Sequence, residues 1–128
     1  MKIKKFTFNA FQENTYVINC NQNCMIVDPG CHGEEEQQIL VDYIDKNKLY
    51  PIELINTHCH LDHIFGNHFI CEKYKLKPKM HQKDFSLLEK SSEIAKHYGV
   101  HLDKPTLDVN FIKEGDIIRL GESQWKVI

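Results

Sequence analysis

The sequence lacks several features that would assign it to common functional classes. No stretch approaches the roughly 18 apolar residues of a membrane-spanning helix, so we expect a soluble protein with no membrane role. Arg119 is the only arginine, and no basic run of the kind that follows a phosphate backbone is present. The net charge of −2 indicates no particular partner. The composition therefore argues against nucleic-acid binding.

The five cysteines form an odd set, and no secretory segment precedes them. The first residues alternate in character as a strand does, instead of forming a long apolar run. Cys20 and Cys24 flank a turn, but partner ligands for a structural zinc site are missing around them. We therefore expect free thiols and a cytoplasmic location. At 128 residues, the chain is one domain or a part of one.

The order of strand and helix patterns predicts an α/β fold. Alternating residues indicate strands at 3–8 and 15–20, a third follows at 24–27, and Asp28-Pro29-Gly30 ends it. A helix opens at Glu34, with one apolar face made by Ile39, Leu40, Tyr43 and Ile44. Further patterns predict strands at 52–56 and 78–81, helices at about 63–75 and 83–98, a loop at 100–109, and a hairpin at 116–128.

The most informative segment is residues 57–63, which read THCHLDH and lie between a predicted strand and a predicted helix. His58 and His60 are two residues apart, so in extended backbone they face the same way and can bind one ion. Asp62 and His63 lie further round the loop and can take a second ion. Imidazole and carboxylate together suit zinc, with iron or manganese as alternatives. The other reading of this segment is a solvated, histidine-rich turn.

Four sequence marks together resemble one family. Residues 57–63 are similar to the T-H-x-H-x-D-H signature of the metallo-β-lactamase superfamily, and residues 27–30, VDPG, resemble its upstream turn. Residues 11–16, FQENTY, and residues 114–116, EGD, resemble marks of the branch around hydroxyacylglutathione hydrolases, the glyoxalase II-like enzymes. The marks occur in family order over nearly the whole chain.

The resemblance implies an αββα sandwich with a dinuclear zinc centre at the sheet edges. By the same resemblance, His58 and His60 bind the first metal, and Asp62 and His63 bind the second. Asp62 also helps to move protons in the family. Asp28 corresponds to a residue that supports the ligand loop without binding metal. These assignments are expectations that the resemblance carries over to matching positions.

The chain departs from the family pattern in its metal ligands. The family completes its site with two further histidines and an aspartate that bridges both metals, and residues 1–128 show none of these in the family's pattern. We therefore expect residues 1–128 to form about the N-terminal half of the sandwich, as a single partial domain. A half site should bind metal weakly, so we expect the 128-residue chain alone to be inactive.

The function implied for the full-length protein is hydrolysis of a thioester or another small acyl substrate by a metal-bridging hydroxide. One alternative is an iron-dependent oxidoreductase similar to persulfide dioxygenases. A second alternative is a non-catalytic half-domain that pairs with another chain. An unfinished edge strand at residues 125–128 favours such pairing, including self-association.

The sequence gives weaker evidence of a catalytic or metal-binding role for Cys59 and the remaining histidines. Cys59 lies between two predicted ligands, where metal charge should favour its thiolate, but the metal-bound hydroxide already supplies a nucleophile. His32 is expected to be a solvated loop residue and His81 a structural one. Surface positions are expected for His68, His97 and His101.

Overall fold

The computed structural model describes all 128 residues and contains eight strands and five α-helices. The strands are β1 (Lys2–Phe8), β2 (Glu13–Cys20), β3 (Asn23–Val27), β4 (Tyr50–Ile55), β5 (Pro78–Met80), β6 (Asn110–Phe111), β7 (Ile117–Leu120) and β8 (Ser123–Lys126). The helices are α1 (Glu34–Lys46), α2 (Leu61–Ile64), α3 (Asn67–Tyr74), α4 (Phe85–Glu89) and α5 (Ser91–Tyr98). None of the helices combines the length and the apolar character needed to cross a membrane.

Six strands form one sheet in the order β1-β2-β3-β4-β5-β6. The first three strands are antiparallel neighbours joined by short turns, whereas β3 to β6 run parallel to one another. Parallel strands need crossover connections, and helices supply them here. The carboxyl ends of β3, β4 and β5 therefore meet at one sheet edge. The turn between β1 and β2 lies at the same edge, because β2 is antiparallel to β3.

One face of this sheet packs against α1 and α3. Leu40 and Ile44 of α1 and Ile70 of α3 are fully buried there against Ile26 and Leu54 of the sheet. Burial of each such side chain stabilises the fold by about 1.5–3 kcal/mol relative to exposure. The predicted helix at Glu34 is confirmed, but Ile39 points largely to solvent instead of joining the apolar face.

The opposite face of the sheet packs against the hairpin of β7 and β8. Ile118 and Leu120 of β7 are buried against Met25 and Ile55 of the large sheet. The chain therefore builds three successive layers of helices, sheet and hairpin, and the predicted hairpin is confirmed. The expected strand to residue 128 is shorter, since β8 ends at Lys126.

The predicted helix at 63–75 is wrong as a continuous element, because α2 and α3 are separate. Gly66 lies between them and donates its N–H to the carbonyl oxygen of Pro29 at 2.7 Å. A Cβ atom at Gly66 would lie 2.8 Å from that same oxygen. The chain thus turns where glycine allows the helix pair to approach the turn after β3.

The predicted helix at 83–98 also divides, into a single 3₁₀ turn at 82–84, then α4 and α5. The buried hydroxyl of Ser91 donates to the carbonyl oxygen of Leu88 at 2.6 Å, at the junction of the two helices. Serine offers the backbone such an alternative bond and thereby favours helix ends. The strand β6, with only two residues, lies beyond the predicted loop and was missed.

Candidate metal centre

The ligand loop, residues 57–63, begins at the carboxyl end of β4 and ends inside α2. Its two ends are held by a reciprocal amide pair between buried Asn56 and Asn67, with N–O distances of 2.8 and 3.1 Å. Asn56 also donates to the backbone oxygen of His63 at 3.3 Å. Asp62 and His63 therefore project from a short helix that is tied back to the strand.

Side chains of the ligand loop alternate between two environments. Cys59 and Leu61 are buried in apolar clusters, whereas His58 and Asp62 are partly exposed at the sheet edge. His60 is exposed on the same side as His58, and their ring centroids lie 4.6 Å apart. The alternation places the imidazoles and the carboxylate together and anchors the loop through the residues between them.

Asp28 is the hub of the hydrogen bonds beneath the loop. One carboxylate oxygen accepts from the Thr57 N–H at 2.7 Å, and the other accepts from the Thr57 hydroxyl at 2.6 Å. That second oxygen, Oδ2, also lies 3.0 Å from Nδ1 of His63, although the ring N–H does not point straight at it. Asp28 thus holds the Thr57 end of the ligand loop by two hydrogen bonds and lies against the His63 ring at the other end.

These contacts select one tautomer for two of the histidines. Nδ1 of His58 lies 3.0 Å from the Thr57 hydroxyl oxygen, whose proton is already donated to Asp28, so Nδ1 carries the donated proton. Nδ1 of His63 makes no hydrogen bond, but it lies 3.0 Å from the Asp28 carboxylate, whose negative charge favours a proton on this nitrogen. Burial lowers the pKa of His58, and the neighbouring His63 lowers it further. Both effects favour the neutral form of the His58 ring. Both rings therefore keep Nε2 free as a ligand atom.

The donor groups lie close enough to fit a divalent metal. Ligand atoms of Asp28, His58 and His63 all lie within 4.8 Å of one another. Nε2 of His63 lies 3.5 Å from Oδ2 of Asp62, and the ring centroids of His58 and His63 are 4.0 Å apart. The group of three close residues includes Asp28, which was not a predicted metal ligand. It does not include His60 and Asp62, which were predicted ligands. The pairing of His58 with His60, and of Asp62 with His63, stays a prediction.

Glu13 is a site residue that the sequence reasoning missed. Its side chain is fully buried, and Oε1 lies 3.7 Å from Nδ1 of His63 without a hydrogen-bond partner. Oε2 accepts from the Thr15 hydroxyl at 2.9 Å. Burial first of all, with help from Asp28 and other nearby carboxylates, raises the pKa of Glu13 to about 8. The available signal was strand alternation, since Glu13, Thr15 and Val17 share the buried face of β2.

The structure by itself does not favour a thiolate at Cys59, and the expected effect of metal charge on this thiol stays a prediction. The thiol points away from the histidines and contacts the sulfur of Met80 at 3.5 Å. Burial raises the pKa of Cys59 to about 12. His32 is also less solvated than expected, because it stacks on Phe65 at 4.0 Å. His81 has the expected structural role, since its Nδ1 accepts from the Lys83 N–H.

Residues 8–128 match the family model of the metallo-beta-lactamase superfamily. The chain belongs to this superfamily. Among curated relatives, the superfamily member "hydroxyacylglutathione hydrolase GloC" of Haemophilus influenzae is 31% identical over 135 residues, covering 100% of this chain and 60% of the relative. The chain spans about half the length of the curated relatives it matches.

Solved structures confirm the fold expected for a superfamily member. BLEG-1, described as a B3 metallo-beta-lactamase, matches with a TM-score of 0.82 and 19% identity over 98% of this chain and 59% of that chain. TTHA1623 in a di-iron-bound form matches with a TM-score of 0.75 and 28% identity over 91% of this chain and 56% of that one. The superfamily fold implies divalent-metal binding, in agreement with the donor groups at the sheet edge.

Proposed function

We propose that the full-length protein is a metal-dependent hydrolase that cleaves a thioester or a similar small acyl substrate. The single observation that carries this proposal is the hydrogen-bond arrangement centred on Asp28. It leaves Nε2 of both His58 and His63 free, and Nε2 of His63 lies 3.5 Å from the Asp62 carboxylate. A solvated histidine turn needs no such buried support. Similarity to the curated GloC relative favours the thioester over other acyl substrates.

In this proposal, His58, His60, Asp62 and His63 would hold two ions, with zinc as the proposed metal. When bound, such metals lower the pKa of water and polarise the carbonyl group under attack. Asp28 would keep the ligand histidines in one tautomer, and Asp62 would accept a proton from the attacking water. Hydrolysis forms a bond from the water oxygen to the carbonyl carbon and breaks the carbon–sulfur bond. The products are a carboxylic acid and a thiol.

An iron-dependent oxidoreductase is the second candidate, and the di-iron-bound form of TTHA1623 supports iron as a metal for this fold. Both candidates use the same donor groups, because imidazole and carboxylate bind iron as well as zinc. They differ in the metals bound and in the consumption of oxygen.

The test uses the native full-length protein, purified without added metal and then analysed for its metal content. We expect two metal ions per protein and hydrolysis of S-lactoylglutathione, measured by release of the free thiol. The variant His60→Ala should lower kcat/KM by about 100-fold or more, since loss of even a supporting residue of a metal site costs 10–100-fold. The matched control is His97→Ala, which replaces another exposed histidine outside the loop.

Two results would contradict the hydrolase proposal, and a third would contradict the assignment of His60 as a ligand. The first is the absence of thiol release from any thioester by the metal-loaded protein. The second is one iron per protein together with oxygen uptake on a glutathione persulfide, which would establish the oxidoreductase instead. The third is equal activity of His60→Ala and His97→Ala, which would remove His60 from the ligand set.

A further inference from the structure

A cavity adjoins the ligand loop at His60, Leu61 and Asp62. It has a volume of about 270 Å³, and the side chains of His60 and Asp62 form one of its walls. The remaining lining is apolar and comes from Phe11, Leu61, Leu87, Ile94 and Tyr98. Two predicted metal ligands therefore lie beside an apolar surface. The β1–β2 turn, the ligand loop and the helices α4 and α5 contribute this surface.

The wall at Phe11 is held in place by hydrogen bonds of the β1–β2 turn. Asn9 adopts a positive φ of 57°, and its side-chain oxygen accepts from the Phe11 N–H at 2.9 Å. Its side-chain nitrogen donates to the backbone oxygens of Gly30 and Asp62 at 2.9 and 3.0 Å. Glu36 of α1 accepts from the Asn9 N–H. The ring of Phe11 is thereby fixed relative to the Asp62 backbone.

The opposite wall is made by α4 and α5. The ring of Tyr98 meets that of Phe11 edge to face, with centroids 6.0 Å apart. Phe11 also stacks on the buried Phe65 at 6.3 Å. Both Phe11 and Tyr98 nevertheless stay about half exposed, at 46% and 60%. Two large apolar side chains are thus fixed beside the predicted metal ligands without being covered.

The lining indicates which part of a substrate fits. The thiol half of a glutathione thioester carries two carboxylates and an ammonium group, and such charges need ionic or hydrogen-bonding partners. The cavity contains no lysine or arginine. An apolar cavity of about 150 Å³ already accepts benzene, so the volume here is enough for an aromatic ring.

We propose that this cavity, the acyl pocket, binds the apolar side group of the acyl half of the substrate. The preferred acyl groups carry a ring-sized apolar substituent. This inference rests on the proposed thioester hydrolysis and adds the substrate class to it. The adjoining carbonyl group then lies toward His60 and Asp62, and the polar thiol half extends into solvent.

The test compares two glutathione thioesters of 2-hydroxy acids that differ only in their side group, lactoyl with a methyl group and mandeloyl with a phenyl group. For the native full-length enzyme we expect kcat/KM to be at least about tenfold higher with the phenyl group, a typical discrimination by an apolar pocket. Truncation of the pocket wall by Tyr98→Ala or Phe11→Ala should lower this preference about tenfold.

Matched controls exist for both variants. Tyr50 is 61% exposed and Phe111 is 48% exposed, close to the values for Tyr98 and Phe11, and both lie outside the pocket. Tyr50→Ala and Phe111→Ala should leave the preference unchanged. Equal preference in pocket variants and controls, or no preference for the phenyl group in the native enzyme, would overturn the acyl pocket.

A binding measurement separates failure of the pocket from failure of the hydrolase proposal. Saturation-transfer NMR should show contact between the protein and the phenyl protons of the product mandelate. This signal should fall in Tyr98→Ala and Phe11→Ala and persist in both controls. If neither thioester is hydrolysed, the hydrolase proposal fails, and the NMR comparison alone decides whether the pocket binds a ring. Equal signals in all four variants refute the pocket.

Discussion

The two faces of the ligand loop differ in polarity and in the side chains that they contact. On one face, Cys59 packs with Ile64, Met80 and Leu88 in a dry apolar cluster. On the other face, His58 and His63 lie among carboxylates and keep ring nitrogens without protein partners. The comparison teaches that packing on the buried face fixes the backbone. The polar face can then keep donor atoms directed outward for a metal.

The largest expected effect is on the buried face. Ile64→Ala removes a buried side chain from the cluster beneath the loop, and such truncations cost about 2–5 kcal/mol of stability. Urea unfolding measured by circular dichroism should show this loss. The control Ile39→Ala changes a half-exposed isoleucine of α1 and should cost less than about 1 kcal/mol. Equal losses would show that the buried face does not hold the loop.

The next effect concerns the polar face. Asp28→Asn keeps the size of the side chain but removes the negative charge that holds Thr57 and His63. We expect zinc affinity, measured by competition with a chelator, to fall 10–100-fold, or about 1.4–2.7 kcal/mol.

The matched control for Asp28 lies on the opposite face. Asp84 accepts from the Cys59 N–H at 3.3 Å, so it contacts the same loop from its buried side. Asp84→Asn should change zinc affinity less than about threefold. A loss as large as that of Asp28→Asn would mean that both faces support the metal equally.

Glu13 gives a gradual, pH-dependent effect in the metal-free protein. The folded chain keeps the Glu13 proton up to a pKa of about 8, whereas the ordinary pKa is 4.5. Between these values the folded state binds more protons than the unfolded state, so stability falls as the pH rises. The slope for one group reaches about 1.4 kcal/mol per pH unit.

The measurement for Glu13 is chemical denaturation in the presence of a chelator, at intervals from pH 5 to 8. Glu13→Gln should flatten the decline, because the amide does not ionise. Glu35→Gln, at an exposed position of α1, should leave the decline as it is. If native protein and Glu13→Gln decline in parallel, ionisation of Glu13 is not the cause.

The smallest effect leaves stability unchanged and compares two thiols. Burial raises the pKa of Cys59 to about 12, whereas the hydrogen bond from the Ser123 hydroxyl at 3.2 Å lowers the pKa of Cys20. Iodoacetamide at pH 8 should therefore label Cys20 first, as followed by peptide mass spectrometry. Ser123→Ala should slow that labelling. Labelling of Cys59 at a similar rate would place its thiol on the polar face.

Local patterns predicted much of the fold. Alternation located β1 and β2, and turn residues ended β3 at Asp28. The division between α2 and α3 was not predictable, because it depends on Gly66 meeting Pro29, which lies far away along the chain. The two residues of β6 are likewise a strand only because β5 lies beside them.

The candidate site shows the same limit. The spacing of residues 57–63 identified the ligand candidates because all of them lie in one short segment. Glu13 reaches the site from another strand, so its position depends on the register of β2 with β3. Cys59 lies within the segment, yet its orientation depends on the cluster with Met80. Residue type alone carries no information about that direction.

The β1–β2 turn separates two roles that the proposed function would need. Asn9 joins the turn to the Asp62 backbone, while the side chain of Phe11, two residues later, contacts no metal-ligand candidate through a hydrogen bond. Recognition and metal holding are therefore separable within one turn. A library randomised at position 11, with asparagine retained at position 9, should yield enzymes that differ in the acids they release and still bind the same metals.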